Sequence, residues 1–258
     1  MRKPVSFTAS AVSLLTIAVA VTSCPKPSAL PAEWGEPAVS PLKVVMAVGP
    51  NAEALAKFRD YMQERYHVTI TFIEAGSGNP LPGIEALETC DVFLSNLRRT
   101  QPTPAQLTII KKYFTDGKPV VGLRRAHHGF QNWLEADREV FGVKYGGHGG
   151  GGEDAKLVIP DDQQNNPLVA GLKPFMPGGG LYDHSQLDPR ATVLMMSVVG
   201  DRTYPQTWTL ERKKGQRVFY TRFDPSDVMK DEGVRKMVVR ALFWAARQDP
   251  EKMKRKKD

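Results

Sequence analysis

Four short runs of apolar, largely β-branched residues fill the first half of the chain: "LKVVMAV" at 42–48, "VTITFIEA" at 68–75, "DVFLSN" at 91–96 and "PVVGL" at 119–123. Each is too short for an ordinary helix, and short and apolar enough to be a strand buried in a parallel sheet. Helical patterns lie between them. Leu55, Phe58 and Met62 share one face after the first run, and "TPAQLTIIKKYFTDG" carries Thr103 as N-cap and Gly117 just past its end. Strands alternating with helices at this spacing predict an α/β fold: a doubly wound, mostly parallel sheet flanked by helices and joined by right-handed crossovers. In such sheets a ligand sits in the crevice outside the carboxyl ends of the strands.

The second half has a different texture. "AKLVIP", "ATVLMMSVV", "QTWTLER" and "QRVFYTRF" are strand-like runs separated by turn residues, and they predict added β segments. One helix is expected there, over about 228–247, with Val234, Val238, Ala241, Leu242 and Ala245 as the stripe that packs across the sheet. The glycine-rich "GGHGGGGED" at 146–154 reads as a loop. With 258 residues and 41% apolar content the chain can bury a full core, which excludes a disordered protein.

Domain limits follow from the ends. "MRKPVSFTASAVSLLTIAVAVTSC" has a basic start, a short apolar run and small residues before Cys24, the pattern of an export signal over 1–24. Val21-Thr22-Ser23-Cys24 is like a bacterial lipobox, in which Cys24 is lipidated and anchors the protein to a membrane at the periplasmic or outer envelope face; ordinary signal cleavage nearby is the alternative. Residues 25–41 hold five prolines and read as an extended tether; 42–248 form the domain, and 249–258 a solvated basic tail. Of the formal charge of +7, Arg2 and Lys3 supply two and the last eight residues a net three, so the domain is nearly balanced and no nucleic acid is expected as partner. Cys90, at the start of a strand, reads as a packed thiol.

The chemistry concentrates at "GKPVVGLRRAHHGFQNW", residues 117–133, where a buried strand enters a tight junction at its carboxyl end. This is where many α/β proteins carry a nucleophile. Here Arg124 and Arg125 occupy it, followed by His127 and His128. Without a thiol or hydroxyl at the elbow, glutamine hydrolysis is not expected. Arg124 offers fixed donors for a carboxylate, a phosphate or the oxygens of a sugar; the alternative is a structural ion pair. The glycines of 146–152 match neither phosphate-loop pattern, so no nucleotide cofactor is expected.

The order "GKPVVGLRRAHHGF", "FGVKYGGHGGGG", "NNPLVAGL", "LYDHSQLDPRATVLM", "QTWTLERKKGQRVFYTRF" and "VRKMVVRALFWAA" resembles ThuA-like, trehalose-utilisation proteins over about residues 42–247. The resemblance implies the flavodoxin-like fold of the class I glutamine amidotransferase-like superfamily. Against a family junction of the form G-L-R-T-x-x-H-A-F, Arg124 and His128 match, Arg125 and Gly129 depart, and His127 falls at a variable place. His148 matches a family histidine, Leu181-Tyr182 an L-Y segment, and Trp208 the tryptophan before a G-x-R-V-F-Y strand, here ending at Tyr220. That strand usually runs into Gly-His; here it runs "TRFDP", which puts Asp224 near the expected histidine.

The resemblance implies carbohydrate breakdown, with a disaccharide or keto-sugar as ligand. His128, His148 and Asp224 are the expected proton-handling residues, and Arg124, Tyr182, Asp183, His184 and Trp208 the expected substrate contacts. His128 and His148 are also the candidate ligands of a divalent metal, although their spacing is not that of a specific metal motif. Surface placement is the alternative for Asp183 and His184, and a core position for Trp208. The competing function is a non-catalytic module that binds a glycan or a partner on an inherited scaffold. Oligomeric state is not legible.

Overall fold

The computed structural model describes residues 40–49, 52–76, 80–148, 155–178, 181–184 and 186–255. The predicted export signal with Cys24, nearly all of the tether, and 149–154 of the glycine-rich loop lie outside the described residues. No helix among the described residues is long and apolar enough to cross a membrane.

The chain runs through β1 (Leu42–Val48), α1 (Ala52–Arg65), β2 (Val68–Glu74), β3 (Val92–Asn96), α2 (Pro104–Thr115) and β4 (Val120–Leu123). It continues with α3 (Ala136–Phe141), β5 (Val143–Lys144), β6 (Lys156–Val158), β7 (Gln186–Leu187), β8 (Thr192–Val199), β9 (Arg202–Glu211), β10 (Arg217–Thr221), α4 (Pro225–Lys230) and α5 (Glu232–Ala245). The main sheet has the order β2-β1-β3-β4-β10-β9-β8-β6. Its first five strands are mutually parallel. Their succession is the 2-1-3-4-5 order of flavodoxin-like folds. β9, β8 and β6 extend the sheet antiparallel, as the added β segments foretold.

Alternation along the buried strands feeds two cores. Val44, Met46 and Val48 of β1 face α1, α4 and α5, while Val45 and Ala47 face α2 and α3. β10 divides likewise, with Phe219 on the first face and Val218 and Tyr220 on the second. Gly122 in β4 is required by this packing. A Cβ there would lie 2.5 Å from a ring carbon of Phe141, so only glycine lets α3 approach.

Three expectations change. The helix over 228–247 is two helices: Asp231, in extended conformation, accepts from the Val234 N–H and starts α5 afresh, while α4 ends beside it. α3, six residues long, is too short for periodicity to reveal. The tail is docked rather than solvated as far as Arg255. Met253 is buried, its carbonyl accepts from the His67 N–H at 2.8 Å, and Arg255 Nε donates to the Gln63 and Tyr66 carbonyls. Cys90 is packed as expected, with burial pushing its thiol up to about 11.

Candidate functional site

Two parallel strands end side by side and place the site. Asn96, the last residue of β3, donates from Nδ2 to the Leu123 carbonyl at the end of β4, 3.0 Å away. Beyond that point Arg124 N–H still reaches the Thr221 carbonyl of β10 at 2.7 Å, but Arg124 itself turns into the left-handed region with φ 35°. This is the elbow. Holding a side-chain-bearing residue there costs on the order of 1 kcal/mol or more, which the surrounding bonds must offset. A single 3-10 turn over Ala126–His128 follows.

That turn sets up an ordered hydrogen-bond chain. Tyr220 Oη lies 2.7 Å from the Arg124 carbonyl and 2.8 Å from His127 Nδ1. The hydroxyl proton must go to the carbonyl, which can only accept, so Oη accepts from His127 Nδ1–H. His127 Nε2 then carries a lone pair and accepts from His128 Nδ1–H, at 2.9 Å. The consequence falls on His128, whose Nε2 is left unprotonated. Burial and the flanking His184 and His128 keep His127 neutral, its pKa well below the usual histidine value. Burial also lowers His128, to about 4, reinforced by Arg99, Arg98 and Arg125.

Tyr182 is the hub around which the predicted residues meet. Arg124 Nε donates to its hydroxyl at 3.3 Å. The rings of His127, His148, Tyr145, His184 and His128 lie 5.1, 5.3, 5.5, 5.7 and 6.1 Å from its own. Arg222 adds its guanidinium 5.6 Å from the same ring. His148 is exposed and bridges to Tyr182 along the backbone, so Arg124, His128 and His148 gather on one centre as the sequence suggests. His128 is also stacked on Tyr145, at 4.9 Å.

Other predicted residues are placed differently. His184 is fully buried instead of at the surface; Nδ1 donates to the Pro205 carbonyl at 2.9 Å, and burial lowers its pKa to about 4. Its Nε2 has no hydrogen-bond partner among the described residues. Asp183 is half-buried against Gly146. Trp208 is a core residue: fully buried, it donates to the Phe141 carbonyl and stacks on Tyr220 at 4.2 Å, presenting no face to a ligand. Its service is to seat Tyr220. Asp224, expected to handle protons, has two other tasks. Oδ1 caps α4 by accepting from the Ser226 N–H, and Oδ2 pairs with Arg125 at 3.1 Å and with Arg124 at 3.9 Å.

Sequence reasoning passed over His127, Tyr145, Arg222 and the pair Arg98 and Arg99. The rule that ligands meet strand ends had a signal for three of these, because Arg98 and Arg99 come after Leu97 just past the end of β3 and Arg222 directly follows β10. Among the described residues, no three of His, Cys, Asp and Glu are grouped so as to hold a metal ion. The elbow residue is Arg124, and Cys90, the free cysteine among the described residues, is buried before the start of β3.

Solved structures share this fold. A ThuA-like protein of Parabacteroides merdae superposes with a TM-score of 0.60 at 15% identity, over 85% of this chain and 93% of that one. A Thermoplasma acidophilum protein described as part of a GMP synthase gives a TM-score of 0.49 at 13% identity, over 80% of this chain and 94% of its own. No curated protein is similar enough in sequence to count as a relative. The family model described as "ThuA: Trehalose utilisation" matches residues 45–245, which is most of the chain and all of the site, and the chain belongs to that family.

Proposed function

We propose that this protein is a carbohydrate-processing enzyme that works on a keto-sugar or disaccharide derivative, with His128 as its general base. The observation that carries this reading is the ordered chain from the Arg124 carbonyl through Tyr220 and His127, which delivers a neutral His128 with its Nε2 lone pair at the crevice of the sheet. His128 Nε2 takes a proton from a sugar hydroxyl or from the carbon beside a carbonyl, and the Arg124 guanidinium stabilises the oxygen on which negative charge develops. The relay ends at a backbone carbonyl, which accepts no proton. It therefore fixes the tautomer of His128 without draining protons to solvent, and the imidazolium returns its proton to the substrate. His148, exposed beside Tyr182, acts as the second proton carrier.

Turnover of 3-keto-disaccharides by purified protein, compared with His128→Ala, His148→Ala and the double variant, tests this. Loss of turnover by about a hundredfold in His128→Ala is expected for a general base, and unchanged turnover in the double variant would sink the mechanism. The commitment of Asp224 to a helix cap favours a second reading, a non-catalytic glycan-binding module; the same variants decide it, since a module keeps binding and has no turnover to lose. Export and lipid anchoring through Cys24 belong to the same proposal. Labelled fatty acid should appear on the wild-type protein in cells and vanish in Cys24→Ala, and label persisting in that variant would remove the anchor.

A further inference from the structure

Among the described residues, the rim of the site brings together Arg98, Arg99, Arg124 and Arg125, with Asp224 as the acid in ion-pair contact. Arg98 and Arg99 leave the end of β3 and are held against the His128 turn: Arg99 N–H donates to the His128 carbonyl at 2.9 Å, and Thr100 N–H to the Gly129 carbonyl at 2.7 Å. Arg99 has φ 47°, so each of the neighbouring strands β3 and β4 is followed by an arginine in the left-handed region, Arg99 and Arg124. Backbone strain of this kind, on the order of 1–3 kcal/mol per residue, persists where the surroundings force it and marks functional rims. Both side chains of the β3 pair are exposed, and neither forms a hydrogen bond or ion pair among the described residues. Asp224, the acid in ion-pair contact with this rim, is taken by Arg125 at 3.1 Å.

We propose that the ligand carries a carboxylate or phosphate group and that Arg98 and Arg99 receive it beside His128, making the substrate a sugar acid or sugar phosphate instead of a neutral disaccharide. This rests on the reading of the crevice as a carbohydrate site. Planar guanidiniums grip such groups through paired hydrogen bonds, whereas a neutral sugar leaves their charge uncompensated. A consequence follows for the base. His128 is faced by Arg98 and Arg99 from β3, Arg125 and His127 from its own turn, Tyr145 stacked on its ring, and Tyr182 and His184 from beyond, with no carboxylate in hydrogen-bond contact. An anion that neutralises the β3 pair relieves the repulsion on an imidazolium, so the substrate's own charge strengthens the base that attacks it.

Equilibrium binding of glucuronate, glucose 6-phosphate, inorganic phosphate, glucose and trehalose to the whole protein tests the proposal. Either sugar anion should bind at least about tenfold more tightly than the neutral sugars, weaken with added salt, and lose that advantage in Arg98→Gln/Arg99→Gln. Comparing glucuronate with glucose 6-phosphate assigns carboxylate or phosphate as the group. Histidine NMR should show the His128 titration moving upward on addition of the tighter anion. Equal binding of neutral and anionic sugars, no anion binding at millimolar concentration, or an unchanged preference in the folded double variant would each overturn it. Anion binding without any turnover leaves the ligand class standing and removes the proposed reaction; full turnover of a neutral keto-disaccharide by the double variant does the reverse.

Discussion

Tyr220→Phe removes a single oxygen and tests the ordering of the whole site. The ring stays seated on Trp208 at 4.2 Å and against Phe141 at 5.9 Å, so packing is preserved. What is lost is the acceptor of His127 Nδ1–H, which is buried, and the donor to the Arg124 carbonyl, which is half-buried. Each orphaned group costs about 1–2 kcal/mol, which puts the loss of stability at roughly 2–4 kcal/mol, readable from urea unfolding. The second effect is more telling. With the hydroxyl gone, the Arg124 carbonyl alone is left to hold the proton on Nδ1, so His127 can shift part of that population to Nε2, and there it no longer accepts from His128. His128 then loses the bond that kept its own proton on Nδ1. Histidine 15N spectra distinguish the two tautomers directly: wild type should show His128 as Nδ1–H, and the variant a mixture or the Nε2–H form with a lowered kcat. A variant in which His128 keeps the Nδ1–H form would refute the relay, whatever the stability change.

Acid should weaken the fold through the buried histidines. His128 and His184 sit at about 4 in the folded protein, against about 6.5 for an exposed histidine, so the folded state binds fewer protons than the unfolded state between those values. Their contribution is full above about pH 6.5, falls as the pH drops towards 4 and levels off below, with each histidine worth on the order of 3 kcal/mol across the window. Urea unfolding at pH 7, 5.5 and 4.5 should show this loss and a shallower one in His184→Gln; a flat profile in both proteins would contradict it. At Asp224, the asparagine variant keeps a good N-cap for α4 but gives up the charge that faces Arg125, whereas the alanine variant loses both. Asp224→Ala should therefore be less stable than Asp224→Asn by about 1 kcal/mol, measured as the difference in unfolding free energy, and equal stabilities would mean that the cap contributes nothing.

The parallel half of the fold was legible because strands buried on both faces leave a signature that needs no partner to be read: "VVMAV" and "DVFLSN" are apolar whatever they pair with. The elbow was legible for the same local reason, as a strand followed at once by charged residues. What sequence spacing does not encode is closure. His127 and Tyr220 are adjacent only because β10 comes back beside β4, and Tyr182 becomes a hub because the segment carrying it crosses over the same strand ends. The core position of Trp208, one of the two alternatives its β run allowed, and the ion pair of Asp224 are settled by long-range packing for a related reason. The cap was in fact readable, since Asp224-Pro225-Ser226-Asp227 is an N-cap, a proline at the first helical position and an acid where a capping box needs one. Most instructive are the two departures from the family pattern, Arg125 in the junction and Asp224 after β10. Taken singly, Arg125 is only a departure from the junction and Asp224 a candidate proton carrier in place of a histidine. In the folded chain they meet at 3.1 Å, so the carboxylate that stands where a histidine was expected compensates the arginine that stands where a threonine was expected. The pairing keeps that arginine from adding its full charge to the rim, where Arg98 and Arg99 have no acidic partner among the described residues.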